Sequence, residues 1–162
     1  DAVLVDQDGR SRRLLEDPPT IKVVTFIYTR CPLPTFCPLL DRQFRELQQA
    51  IIRDPRLSHR VHLWSVTIGP EYDTPAVLGR HAAMVNADPS LWSFAVPGGV
   101  PANAFASRFG VTASRDPHRS DLIVHSLATV VIDAHGMIRK IFRGNGWKPD
   151  QVMELIQSTV DS

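Results

Sequence analysis

Residues 21–29 read Ile-Lys-Val-Val-Thr-Phe-Ile-Tyr-Thr, a nearly unbroken apolar run in which β-branched and aromatic side chains predominate. A strand covered on both faces has this composition, whereas a half-exposed strand alternates. The run ends abruptly. Residues 30–38 read Arg-Cys-Pro-Leu-Pro-Thr-Phe-Cys-Pro, and three prolines cannot continue a sheet ladder. Beyond them Leu40, Phe44, Leu47 and Ile51 step by four, three and four, the spacing of one helical face, which closes near Asp54-Pro55. The centre of the chain is therefore a buried strand, a proline-stiffened turn and a helix, with a cysteine at each end of the turn.

Working outward, the same alternation repeats. Upstream, residues 3–6 and 12–15 flank Gln7-Asp8-Gly9-Arg10, whose Asp-Gly pair predicts a hairpin. Downstream, residues 60–68 form a second apolar strand. Thr74-Pro75 then caps a helix with Val77, Leu78, Ala82 and Val85 on its stripe. A short strand over 92–96, a Pro/Gly stretch, a short helix near 102–109 and a polar loop follow. Residues 127–132 and 137–142 flank Asp133-Ala134-His135-Gly136 as a second hairpin, and Lys148-Pro149-Asp150 opens a last helix carrying Val152, Leu155, Ile156 and Thr159.

Strand, helix, strand, helix, then an antiparallel hairpin and a closing helix is the order of a thioredoxin-like domain. Parallel strands require helical crossovers. The expected architecture is an α/β three-layer sandwich, a central mixed sheet with helices on both faces and an N-terminal β-hairpin, spanning residues 1–162 as one domain. In such a sheet the functional crevice lies beyond the carboxyl ends of the parallel strands, where the first of them delivers Cys31.

Composition narrows the functional classes. The 162 residues are 43% hydrophobic and 22% charged, with a net charge of +1, as in an ordinary globular domain. Neither sign dominates, so no nucleic-acid or membrane-surface partner is expected. No apolar run reaches the ~18–20 residues of a membrane-spanning helix. The chain opens on Asp1, as a processed or trimmed product does, so its lack of a leader carries no information.

The two cysteines, Cys31 and Cys37, are six residues apart and are the chain's whole complement. A disulfide-stapled mini-domain uses more, so the pair points to local chemistry: a redox couple, a metal clamp, or both. A structural disulfide and a pair of inert buried thiols are the plainer alternatives. Cys37 begins a helix whose free N–H groups and dipole are expected to favour its thiolate. Arg30 adds a nearby positive charge, although a strand neighbour points to the opposite face. The stiff spacer over residues 32–36 is expected to curl and bring the sulfurs together. Structural zinc needs four N/S ligands, and no second close pair exists.

Two thiolates and one imidazole suit a soft ion such as Cu(I). His125 is the candidate third donor: it falls just before the strand at 127–132, at the sheet edge where the cysteine turn lies, after the extended residues 121–124. His118, in the loop Asp116-Pro117-His118-Arg119, is near enough in sequence to reach the site. His62 and His81 are read as packing residues, and His59 and His135 as solvated turn residues. Trp64, Trp92 and Trp147 are read as core or rim aromatics.

With these residues in hand, the sequence resembles the Sco/SenC family of copper-handling thioredoxin-like proteins over nearly its whole length. The likeness is carried by residues 26–32 (FIYTRCP) with Cys37-Pro38, by Ser65-Val66-Thr67-Ile68 with Asp73-Thr74-Pro75, and by His125-Ser126 leading through Val131-Ile132-Asp133 to Gly136. It implies that Cys31, Cys37 and His125 bind a single copper ion, as Cu(I) or Cu(II). It also implies copper delivery to the binuclear copper site of cytochrome c oxidase, or reduction of that site's cysteines. The implied location is periplasmic or otherwise extracytoplasmic, tethered by an N-terminal membrane segment outside this chain. The partner is then a copper-acceptor or disulfide-bearing protein, the oxidase's copper subunit being the implied case.

Three departures qualify the resemblance. Five residues separate the cysteines where the family commonly has three, and this Cys-Pro-Leu-Pro-x-Phe-Cys-Pro form resembles a bacterial branch. Gly69 precedes Pro70-Glu71 where many relatives have aspartate. Val124 stands before the histidine where many also have aspartate, removing a carboxylate that would orient the ligand.

Copper handling and metal-free thiol–disulfide exchange through Cys31 and Cys37 are the two leading functions, with a copper or redox sensor a further one. Copper loading demands reduced cysteines, so it and disulfide formation exclude each other. The long spacer departs from the usual Cys-x-x-Cys of redox-active relatives of this fold. A peroxidase of the peroxiredoxin type is disfavoured, since its usual threonine falls on Tyr28.

Overall fold

A computed structural model describes residues 1–15, 19–31 and 37–160, with backbone alone at residues 115, 116 and 119–124. The strands are β1 (Val3–Asp6), β2 (Ser11–Arg13), β3 (Ile21–Ile27), β4 (Val61–Thr67), β5 (Trp92–Gly98), β6 (Ala113–Asp116), β7 (Arg119–His125), β8 (Ala128–Ile132) and β9 (Ile138–Arg143). The α-helices are α1 (Cys37–Arg53), α2 (Pro75–Met84), α3 (Ala102–Ser107) and α4 (Pro149–Val160).

Seven strands form one mixed sheet in the order β2-β1-β5-β4-β3-β8-β9. Every residue of β3 is buried, as its unbroken apolar run required. β3 pairs parallel with β4 from Ile21↔Val61 to Ile27↔Thr67, and β4 pairs parallel with β5 from Leu63↔Trp92. β8 closes the other side of β3 antiparallel, Lys22 opposite Ile132. The N-terminal hairpin joins the sheet through β1 and β5.

Helices cover both faces, as expected. Phe44 of α1 meets Trp92 at a ring distance of 5.8 Å, and His81 of α2 meets Phe94 at 5.4 Å. On the opposite face, Phe105 of α3 and the following Phe109 pack against Phe26 at 6.0 and 5.7 Å. The apolar stripe of α1 (Leu40, Phe44, Leu47, Ile51) is wholly buried, and so are Trp64, Trp92 and Trp147, which are core aromatics.

Both predicted hairpins form, and each is closed by an aspartate at the first strand's end. Asp6 Oδ1 accepts the N–H groups of Asp8 and Arg10, and Asp133 Oδ1 accepts those of His135 and Met137. Gly9 and Gly136 hold φ of +79° and +84° in the turns, a region open to glycine without steric cost.

Two boundaries differ from the sequence reading. The polar stretch before His125 contains β6, which pairs antiparallel with β7 in a separate two-stranded sheet. Its strands are too short and polar for periodicity to reveal. The short helix stops at Ser107, ahead of a turn through Arg108 and Gly110.

Candidate metal centre

Three segments converge beyond the carboxyl ends of β3 and β4. The first is the end of β3. Past Ile27 the chain turns, the Cys31 N–H donating to the Tyr28 carbonyl at 3.3 Å. That turn is held by Asp73, which is only 1% exposed. Its carboxylate accepts the backbone N–H of Thr29 at 3.0 Å and the Thr29 hydroxyl. It also accepts the Thr67 hydroxyl at 2.7 Å, whose oxygen in turn accepts the Gly69 N–H at 2.9 Å. One buried carboxylate thus ties the ends of two parallel strands together, and a buried charge is tolerated where donors surround it. The sequence reading used Asp73 only as part of a motif; its setting between two strand ends was the missed signal.

The second segment is the start of α1. Cys37 is its first residue and is buried, whereas Cys31 is half-buried, and neither is in a disulfide. The hydrogen bond between the two thiols, then burial, then the charge of Cys31 push the Cys37 thiol well above the ordinary cysteine range. A backbone hydrogen bond from Tyr28 opposes them, and the Asp41 charge adds to them. The expected lowering by the helix end is therefore overturned. The dipole acts on an exposed group with modest strength, and here desolvation and a second thiol outweigh it. The spacer, residues 32–36, lies outside the described residues, so its expected curl is not described.

The third segment is the end of β7. His125, paired in register with Ala113, is 7% exposed. Its Nε2 stands 3.8 Å from the Cys37 Sγ, and its ring meets that of Tyr28 edge-on at 5.7 Å. Its Nδ1 lies 3.0 Å from the Ser126 carbonyl oxygen. A carbonyl only accepts, so Nδ1 carries the proton and Nε2 turns its lone pair toward the sulfur. Burial holds the imidazole below its usual range, and the Ser126 bond opposes that only in part. A neutral imidazole with a fixed tautomer is the form that binds a metal.

His125 thus joins the cysteines, and Cys37 touches both other candidates. Among the described residues, no three His, Cys, Asp or Glu side chains already stand as a closed metal cage; the contacts are pairwise, through Cys37.

The remaining candidates lie elsewhere or take other roles. His118 is exposed in the β6–β7 turn. His62 is buried against Ser93 (2.8 Å), and burial followed by the charges of Arg12 and Lys22 pulls its pKa down to about 3. His59 and His135 are both exposed in turns, as read from the sequence. His81, read as a packing residue, is also an ion-pair partner: its Nε2 lies 2.9 Å from Asp41 Oδ2. Arg30 turns away from the thiols and stacks its guanidinium 4.0 Å from the Tyr72 ring centre. Gly69 accepts the N–H groups of Tyr72 and Asp73 on its carbonyl, shaping the loop that brings Asp73 back to Thr29. The side chain of Val124 lies outside the described residues.

The SCO1/SenC family model matches residues 3–161. This chain belongs to the SCO1/SenC family. Among solved structures, a SCO1/SenC family lipoprotein of Bacillus anthracis superposes with a TM-score of 0.81 at 18% identity, over 97% of this chain and 91% of that one. ScoI of Bradyrhizobium japonicum, with copper bound, gives 0.78 at 19% identity over 98% and 96%. BsSco, described as carrying a disulfide switch and as a Sco-family cytochrome c oxidase assembly protein, gives 0.76 at 22% over 98% and 91%. These likenesses establish the thioredoxin-like fold of the Sco proteins for this chain. No curated protein sequence matches it.

Proposed function

We propose that this SCO1/SenC protein is a copper carrier whose cargo is one copper ion, held by the sulfurs of Cys31 and Cys37 and by Nε2 of His125. The observation that carries the reading is the 3.8 Å approach of that nitrogen to the Cys37 sulfur, with its lone pair freed by the Ser126 bond. The donor set is soft and fits Cu(I); an added oxygen ligand accommodates Cu(II). Loading strips the thiols of their protons, so copper affinity rises with pH. Completing the site requires Cys31 and His125 to close about Cys37, which already contacts each of them.

The copper-bound ScoI structure and the assembly role of BsSco support copper transfer to an acceptor protein, with the copper subunit of cytochrome c oxidase as the specific partner proposed. The lipoprotein relative supports an extracytoplasmic, membrane-tethered setting. Residues 1–162 are taken to act as one domain.

A second reading, thiol–disulfide exchange, is favoured by the hydrogen bond that already joins the two thiols. One sulfur attacks a partner disulfide and the other resolves the mixed disulfide, leaving Cys31 and Cys37 oxidised and the partner reduced.

Copper addition to the reduced protein decides between them. The carrier retains one equivalent against a moderate chelator and shows a thiolate-to-Cu(II) charge-transfer band. Reduced wild-type protein that gives up its copper to that chelator overturns the carrier reading.

A further inference from the structure

Tyr28 touches all three proposed donors, and the copper reading above gives it no role. Its carbonyl accepts the Cys31 N–H at 3.3 Å, and its own N–H donates to the Cys37 sulfur. Its ring meets the His125 imidazole at a centroid distance of 5.7 Å and an interplanar angle of 74°. Edge-to-face approach is a favoured arrangement for two aromatic rings. The side chain is buried, with the residue 4% exposed.

The backbone under that ring is held from both sides. On one side the Ile27 carbonyl accepts the Ile68 N–H at 2.9 Å, and on the other the Thr29 N–H donates to Asp73 at 3.0 Å. An aromatic side chain on so fixed a backbone turns about only two torsions. The other bond to the imidazole, from Nδ1 to the Ser126 carbonyl, comes from the next residue in the chain. It decides which nitrogen bears the proton, but it moves with His125 and cannot set where the ring points relative to the cysteines. Tyr28 can, because it belongs to the same strand end that carries Cys31.

We propose that Tyr28 is the positioning residue of the centre, its ring holding the His125 imidazole with Nε2 toward Cys37 while its backbone holds the two thiols. The inference rests on the copper reading for its purpose, although the contacts themselves belong to the metal-free protein. Tyr28 acts through the donors and gives the ion no electron pair. Without the ring the imidazole turns more freely, leaves the Ser126 carbonyl part of the time and presents Nε2 to the sulfur less often. A donor set that must be ordered on binding holds its cargo less tightly than one ordered beforehand. The aromatic ring carries this role and the phenol hydroxyl does not, so phenylalanine serves at position 28 and leucine fails.

The test compares wild type, Tyr28→Phe and Tyr28→Leu, each reduced, metal-free and labelled with 15N. The ring-nitrogen shifts of His125 report its tautomer, which a merely structural role for Tyr28 would not move. Wild type and Tyr28→Phe hold the proton on Nδ1, whereas Tyr28→Leu averages the two tautomers. Chelator competition on the same samples shows Cu(II) affinity kept in Tyr28→Phe and lowered about fivefold or more in Tyr28→Leu. A folded Tyr28→Leu with an unmoved tautomer and unchanged affinity overturns the inference, and so does a Tyr28→Phe as impaired as Tyr28→Leu. If wild type itself fails to retain copper, the copper reading falls while the tautomer comparison still decides whether Tyr28 orders His125. Where Tyr28→Leu does not fold, wild-type protein alone serves: absence of cross-relaxation between the Tyr28 and His125 ring protons overturns the positioning role.

Discussion

Nε2 of His125 faces Sγ of Cys37 across 3.8 Å, although 88 residues separate them in the chain. One belongs to the start of α1 and the other to the end of β7, so only the folded sheet brings the donors together. His125→Ala is expected to leave the fold intact and to lower Cu(II) affinity at least tenfold, while disulfide exchange with a small-molecule disulfide changes less than twofold. Competition with a chelator and a thiol-exchange assay on the same preparation check both halves.

Asp73 carries the geometry of the turn that presents Cys31. Replacing a buried hydrogen-bonded carboxylate strands its donors, at about 2–4 kcal/mol. Asp73→Ala should lower the urea midpoint accordingly. Thr67→Val removes one of its donors and should cost less, about 1–2 kcal/mol. Copper retention in Asp73→Ala should fall even under conditions where the variant is fully folded.

Acid should destabilise the protein through His62. The folded protein resists protonating it down to about pH 3, whereas the unfolded chain binds that proton at about 6.5. Between those values the unfolded state holds more protons, so stability is present in full above about pH 6.5 and falls with pH below it. The loss by pH 4.5 is on the order of 2–3 kcal/mol. His125, also held low by burial, acts in the same sense. His81, held high, acts oppositely and at higher pH. Urea midpoints at pH 7 and 4.5 should differ less in His62→Gln than in the wild type.

Phe26 joins the sheet to the face covered by α3, through Phe105 and Phe109. Phe26→Ala should cost about 3–5 kcal/mol. Far-UV circular dichroism at low denaturant should stay native, and the urea midpoint should fall.

Much of this architecture was legible because strong local signals agreed. The apolar run at Ile21–Ile27 has no other reading than a covered strand, and the stripe Leu40–Phe44–Leu47–Ile51 none but a helix packed on it. Cys31 and Cys37 stand out as candidates by their isolation, and His125 by the order of strands. What escaped is chemistry set by packing between distant segments. Nothing local distinguishes Asp41 from the charged residues beside it on α1, or His81 from a packing histidine. Their pairing exists only because α1 and α2 lie side by side on one face. The Cys37 thiol was misjudged for the same reason: a helix end is visible in sequence, but the burial that outweighs it is not.

Among the described residues the β6–β7 arm shares no strand pairing with the seven-stranded sheet, yet His125 sits at its root, while Cys31 follows β3 of that sheet and Cys37 opens α1 packed on it. The imidazole is consequently mounted on a different chassis from the sulfurs. A displacement of that arm would change the distance between nitrogen and sulfur while every rung of the ladder beneath Cys31 stayed closed.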